Sequence, residues 1–353
     1  MVQSGQHQLW SRRQTLHFMA GVAGGLLLHA CSQPGQTPTP NKYSKSSTTE
    51  LTPVSLGIIT WIGYTPLYIA KEKGFFEQLG IDLELKIFGS NADANAAFAT
   101  GKLDGWSPVT SEAVVLADKG KDYRIVLVED NSVGGDGILA RNSVADIAAF
   151  KGKKVAVEQG GVSHFFLLQV LQEAGLSESD ISIVNVTPSG AAAAYQAGQV
   201  EIAVTYAPFL QQANKAEPDG RIIYDTTKMP TAIIDLYLFD TQFIEENSAA
   251  IEAFVRGVFQ GLEFLETNRD EGLAIAAKKL GTTPEALAAD LEGITFPDIQ
   301  TNLEMLGDPN SDLYLLNPLN AMGEFMVSQK KISKVPDFSK VLEPRFVKAL
   351  STD

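Results

Sequence analysis

Carboxylates without a basic neighbour are the first chemistry this chain offers. In EDNSVGGDGI, residues 129–138, Asp130 and Asp136 flank a Ser- and Gly-rich stretch that has no Lys or Arg and directly follows the apolar run IVLV. An apolar run, an acidic loop and a second apolar run describe a loop at a sheet edge, where ligands are commonly held. Further segments read as strand ends in the same way: TWIGYTPL (60–67), DGWSPVTSE (104–112), EQGGVSHFF (158–166), TYAPF (205–209) and TAIIDLY (231–237). Together they supply Asp104, Glu112, Glu129, Asp130, Asp136, Glu158 and Asp235, with Trp61, Tyr64, Trp106, Phe166 and Tyr206, and no Lys or Arg.

A site for an oxyanion needs positive charge or converging N–H donors, whereas this inventory supplies acceptors and ring faces. Buried carboxylates lacking a cationic partner are costly and tend to neutralise. A small cation relieves that cost, and each aromatic face adds about 0.5–2 kcal/mol of cation-π attraction. Guanidinium suits such a site because it is planar, permanently charged, offers in-plane N–H pairs to carboxylates and stacks by its face on Trp or Tyr. The ligand-binding candidates are therefore Trp61, Tyr64, Trp106, Glu112, Asp130, Asp136, Glu158, Ser163, Tyr206 and Asp235. Simpler roles stand beside these. Asp104 in GKLDGW braces a turn, Glu112 complements the dipole of its own helix, and Ser163 either caps its helix or donates to the solute. Glu158 and Asp235 are either strand-end residues bonded to backbone or ligand acceptors, and His164 is a helix-start residue that meets protein partners.

The elements that position these residues alternate. VSLGII (54–59) reads as a strand, PLYIAKEKGFFEQL as a helix, IDLELKIF as a strand of period two, ADANAAFATG as a helix closed by Gly101, LDGWS as a strand and SEAVVLADKG as a helix. A second series begins near residue 145: KKVAVE, ISIVNV, EIAVTY and RIIYD are strand-like, and VSHFFLLQVLQEAGL and AAAAYQAGQV are helical. From about residue 243 the pattern is almost wholly helical. The βα alternation predicts an α/β fold with mainly parallel sheets and ligands at the carboxyl ends of strands. The order of elements predicts two lobes, 54–143 plus 240–353 and 144–239, with a hinge and a cleft between them.

Composition excludes other classes. The 353 residues are 44% hydrophobic and 20% charged, enough for two ordinary domains with real cores. A net charge of −14 lacks the electrostatic footprint of a nucleic-acid binder. At the N-terminus, SRRQTLHFMAGVAGGLLLHAC combines Arg12 and Arg13 with an apolar stretch from Phe18 to Leu28, too short to span a bilayer, before the chain's single cysteine. Residues 1–30 are therefore expected to be a signal peptide, and LLLHAC resembles a bacterial lipobox in which Cys31 carries the lipid. Arg12 and Arg13 also resemble a twin-arginine signal, with Thr15 where that pattern prefers a large apolar residue, so Sec and twin-arginine export both stand. Cleavage before Cys31 strips two arginines and no acid, taking the charge from −14 to −16. Residues 31–53, rich in Ser, Thr, Pro and Gln, read as a flexible tether spanning roughly 25 Å. His7, His17 and His29 fall in the leader, so the mature chain keeps only His164 and the presumed lipid-bearing Cys31. That leaves no His/Cys metal set, no Cys–His pair and no phosphate loop, so no enzyme activity, metal or cofactor is expected.

WIGYTPLYIAKEKGFFEQLGIDLEL, GKLDGW, FKGKKVAVEQGGVSHFFLLQVLQEAGL and GQVEIAVTYAP resemble the periplasmic substrate-binding proteins of the nitrate, sulfonate and taurine ABC-importer group, over roughly residues 54–345. That group shares its two-lobed type II binding-protein fold with the thiamine-pyrimidine synthases, whose His- and Cys-rich motifs are absent here. The resemblance implies a monomeric protein that traps a small-molecule solute by hinge closure and presents it to an ABC permease and ATPase, anchored to the membrane at its lipidated Cys31. EDNSVGGDGI and GGVSHFFL further resemble the binding proteins encoded beside urea-carboxylase-type enzymes, which are associated with guanidine uptake. Guanidinium is the first expectation, taurine, another sulfonate or nitrate the alternative, and a pyrimidine-precursor enzyme the third.

Overall fold

The computed structural model describes residues 50–351. The expected signal peptide, Cys31 and nearly all of the tether lie outside the described residues. Strands β1 (Thr52–Ile58), β2 (Ile81–Ile87), β3 (Gly105–Trp106) and β4 (Tyr123–Ser132) are followed by β5 (Asp136–Arg141), β6 (Lys154–Val157), β7 (Ser182–Asn185), β8 (Ile202–Tyr206) and β9 (Gly220–Asp225), then β10 (Ile234–Asp240) and β11 (Ile294–Thr295). They form two sheets, of order β11-β4-β10-β3-β1-β2 and β7-β6-β8-β5-β9. Helices fill the intervals, so the two-sheet α/β fold matches the expectation.

The chain leaves the first sheet after Ser132, enters the second at Asp136, and returns between Asp225 and Ile234. EDNSVGGDGI is therefore not a loop: it is the end of β4, a link at residues 133–135 and the start of β5. Gly134, at φ 132°, gives the link a conformation closed to other side chains, and the Gly135 N–H is tied to the Gly293 carbonyl at 2.9 Å.

The expectation of mainly parallel sheets needs correction. β1 pairs in parallel with β2 and β3, and β6 with β7 and β8. The crossing strands run the other way: β10 lies antiparallel to β3 and β4, and β5 antiparallel to β8 and β9. A strand that arrives from the other sheet has no helical crossover to enforce parallel entry. Sequence patterning detects strands, not the direction in which a crossing strand is inserted.

Local chemistry explains other departures. The expected helix PLYIAKEKGFFEQL is broken at Gly74, whose φ of 72° ends Thr65–Glu72 before the short Phe75–Gln78 segment. Helix Ser248–Thr267 then packs closely on Thr65–Glu72: a Cβ at Gly261 would lie 2.9 Å from the Pro66 carbonyl carbon and 3.2 Å from Ala70 Cβ. Beneath the first sheet, Phe254 stacks on Phe76 at 5.8 Å and meets Tyr237 edge-on at 5.1 Å. Such pairs add about 0.5–1.5 kcal/mol each beyond their buried area.

Candidate functional site

The ends of β4, β5, β8 and β10 bring the acidic side chains together where the two sheets face each other. Register places Asp130 of β4 directly opposite Asp235 of β10, and Asp136 of β5 directly opposite Tyr206 of β8. Like charges opposite one another on neighbouring strands are destabilising, so the Asp130–Asp235 pairing disfavours charging both acids at once. Asp130, Asp136 and Asp235 are all buried, as are Glu112 and Glu129. None of these five carboxyls makes an ion pair within the described residues.

Trp61 joins the two halves of the cluster. Its indole N–H donates to Asp130 Oδ2 at 2.8 Å, and its ring meets Tyr206 edge-on at a centroid distance of 5.8 Å. Both contacts depend on small neighbours. A Cβ at Gly63 would overlap Asp130 Oδ2 and the indole nitrogen and lie 2.7 Å from Trp61 Cδ1, and one at Gly135 would lie 2.6 Å from Trp61 Cη2.

Oxygens without donors are concentrated here. Glu112 Oε1, Glu129 Oε1, Asp130 Oδ1 and Asp235 Oδ2 are buried and accept no hydrogen bond, and the hydroxyls of Ser111 and Ser163 are likewise unpartnered. Such orphaned polar atoms are uncommon in native proteins and each calls for an explanation. Burial shifts these acids toward their neutral forms. Burial, with repulsion from Asp136 and against the Trp61 hydrogen bond, pushes Asp130 up to about 7. Burial likewise pushes Asp136 up to about 7, partly countered by Ser132. Glu112 rises to about 8, again by burial, opposed by the Val109 and Val162 amides and assisted by Glu158 and Asp136. Burial and then Asp130 drive Glu129 well above the carboxylate range, and burial followed by Asp130, Glu129, Asp136 and Glu112 does the same for Asp235. The contacts of Ser107 fit the raised Glu129. Its Oγ lies 2.6 Å from Glu129 Oε2 and 2.9 Å from the Leu236 carbonyl. One hydroxyl proton serves one of these acceptors well, and a neutral Glu129 carboxyl has a proton to give to Ser107 Oγ in return.

Three helix starts point their amides into this region, and carboxylates of the chain itself occupy them. Glu112, in the first turn of helix Thr110–Asp118, accepts the Val109 N–H at 3.0 Å and also faces the Val162 amide that opens helix Val162–Glu173. Glu158 reaches the start of helix Asn91–Ala99, accepting Ser90 Oγ at 2.9 Å and the Ala92 N–H at 3.0 Å on one oxygen and Asn91 Nδ2 at 2.9 Å on the other. These are positions that an incoming anion would otherwise take.

Of the ten nominated residues, Trp61, Glu112, Asp130, Asp136, Tyr206 and Asp235 meet in the cluster, with Glu158 at its edge. Tyr64 is fully buried behind it, donating to the Ser107 carbonyl at 3.1 Å. Trp106 is also fully buried and lies against Gly57, where a Cβ would be 3.1 Å from its ring. Ser163 is buried with a free hydroxyl one residue into its helix. Asp104 braces a turn by accepting the Ser55 N–H at 2.8 Å and Ser55 Oγ at 2.7 Å. His164 is held within the protein by Gly160 and Glu178. The sequence pattern does not single out Glu129, Asn91, Ser107 and Ser111 as ligand contacts. Glu129 already stands among the strand-end acids, whereas Asn91 lies just ahead of the helical run ADANAAFATG and outside every strand-end segment. Asn302 was also unread: fully buried, it accepts the Val128 N–H at 2.8 Å and donates to the Val128 carbonyl at 3.2 Å, clamping β4 just before Glu129 and Asp130.

Residues 47–281 match the model of the NMT1-like family. Over 228 residues the chain is 28% identical to a putative aliphatic sulfonates-binding protein of Escherichia coli, covering 63% of this chain and 71% of that one. It is 23% identical over 287 residues to the taurine-binding periplasmic protein of the same organism, covering 77% and 86%. The crystal structure of the periplasmic aliphatic sulphonate binding protein from Escherichia coli superposes with a TM-score of 0.67 at 21% identity, over 84% of this chain and 99% of that one. At that identity the likeness establishes the fold alone.

Proposed function

Since the chain belongs to the NMT1-like family, we propose that it is a solute-binding protein of an ABC importer, and that its solute is a small planar cation, guanidinium first. Relatives named as taurine- and sulfonate-binding proteins support the role of importer subunit and place it among binding proteins rather than enzymes. The observation that carries the cation is the cluster of Glu112, Glu129, Asp130, Asp136 and Asp235, buried together with orphaned oxygens and with no ion-pair partner among the described residues. A cation between Asp130 and Asp136 would lower both carboxyls, restore the missing donors and lie against the rings of Trp61 and Tyr206. Among the described residues, no three acids converge closely enough to hold a metal ion.

Taurine, another sulfonate or nitrate is the alternative, favoured by the relatives' names and by the free hydroxyls of Ser111 and Ser163 near two helix starts. It requires Glu112 to yield the amides it now occupies. The segments at 133–135 and 226–233, where the chain changes sheets, form the hinge of this reading. Export, with a lipid on Cys31 and delivery by a monomer to a membrane permease, completes it; among the described residues no helix is long and apolar enough to cross a membrane.

Isothermal titration of the protein with guanidinium chloride, taurine and nitrate in parallel tests the proposal. Saturable binding of guanidinium, lost in Asp130→Asn or Asp136→Asn, is the expected result. Binding of taurine or nitrate alone would overturn it.

A further inference from the structure

A second set of contacts joins the two sheets' halves away from the acidic cluster. Helix Leu316–Ser328, which packs on helix Thr110–Asp118 of the first half, ends in a turn where Lys330 takes a φ of 58°, the one positive φ outside glycine among the described residues. Hydrogen bonds from Lys330 N–H to the Val327 carbonyl and from Lys331 N–H to the Met326 carbonyl, each 2.9 Å, fix that turn. The fixed turn aims Lys331 Nζ at Glu178 Oε2 on the second half, where the two form an ion pair. Beside it Gln329 Nε2 donates to Gln172 Oε1 at 2.9 Å.

Glu178 is itself tied inward. His164 Nδ1 accepts the Gly160 N–H at 3.2 Å, which leaves its proton on Nε2, 3.1 Å from Glu178 Oε1. Gly160 lies two residues beyond Glu158, the carboxylate that grips Ser90, Asn91 and Ala92 across the same interface. An unbroken run of contacts therefore leads from Lys331 on the rim to the edge of the acidic cluster.

We propose that Lys331 is a positioning residue for solute retention: its ion pair with Glu178 clasps the two halves together and sets how long a captured solute stays. The proposal rests on the solute-binding reading above, but closure of the halves is measurable without a solute. The Ala92 N–H, which donates to Glu158 across the interface, reports it by hydrogen exchange.

The test uses the full chain, with Lys331→Met and Lys331→Arg as variants. Lys331→Met is expected to speed exchange of the Ala92 amide about three-fold in solute-free protein, and to speed guanidinium release about three-fold, as befits a partly exposed ion pair. Lys331→Arg is expected to restore both. Unchanged exchange and release in Lys331→Met would overturn the clasp while leaving guanidinium binding intact, and so would a loss that Lys331→Arg fails to restore. If the wild type binds no guanidinium, the solute reading fails, and Ala92 exchange alone still decides the clasp.

Discussion

If a cation displaces protons from Asp130 and Asp136, its affinity must fall as the solution is acidified. Both carboxyls stand at about 7 in the solute-free protein, so at pH 8 they are mostly charged and at pH 6 mostly protonated. When both must be charged to bind, the apparent dissociation constant scales with the square of one plus the ratio of proton concentration to the acid constant. That expression predicts a weakening of about 100-fold from pH 8 to pH 6, against about 10-fold if only one proton is displaced. Glu112, at about 8, steepens the dependence only if it too gives up its proton. The sign for stability is opposite to that for affinity. These acids are raised above their unfolded values, so their contribution is fully present below about pH 4 and is lost as pH rises through 7 to 8. A shift from an unfolded value near 3.9 to about 7 corresponds to an upper bound on the order of 4 kcal/mol for each aspartate, before structural relaxation. That is a substantial part of the roughly 5–15 kcal/mol available to a domain. The solute-free protein should therefore melt at a lower temperature at pH 8.5 than at pH 6, with guanidinium erasing much of the difference. Titration calorimetry at several pH values, in buffers of different ionisation enthalpy, gives both the slope and the number of protons released. An affinity that is flat between pH 6 and pH 8, or that strengthens on acidification as it would for a sulfonate, refutes the reasoning.

The same electrostatics predicts that Asp136→Asn raises the thermal midpoint of the solute-free protein at pH 8 by several degrees while costing at least about ten-fold in guanidinium affinity; a drop in both quantities would mean that Asp136 is structural. Gly63→Ala should break the Trp61–Asp130 hydrogen bond, because the added methyl overlaps both partners. Its signature is a shifted tryptophan emission with about ten-fold weaker binding and a preserved far-ultraviolet spectrum. Asn302→Ala should cost about 2–4 kcal/mol in a denaturant titration, since it leaves both the N–H and the carbonyl of Val128 without their partner. Cys31→Ser should release the protein from membranes in soluble form, and fractionation that still finds it in the membrane pellet would contradict the lipid anchor.

Much of the site was legible because strand-end positions follow from local pattern. Asp130, Asp136 and Asp235 stand out by their acidity beside apolar runs, and Trp61 and Tyr206 by following or closing a strand. Charge composition is likewise a property of the sequence, and the absence of Lys and Arg from these segments already argued against an oxyanion. Glu112 shows the limit of such reading. Its role as a first-turn carboxylate and its role as a site acid looked like alternatives, yet one oxygen takes the Val109 amide while the other is buried without a partner.

The sequence by itself determined most of the strands and helices, the acidic and aromatic character of the strand ends, and the family resemblance, because these depend on local periodicity and residue type. Only the tertiary structure decided that Asp130 faces Asp235, that Asp136 faces Tyr206, that β10 and β5 run antiparallel to their neighbours, and that Asn302 clamps β4 from 174 residues away. Register and strand direction are set by how the two crossings between sheets close on a common core. That is a long-range balance of burial and hydrogen bonding which no single segment encodes.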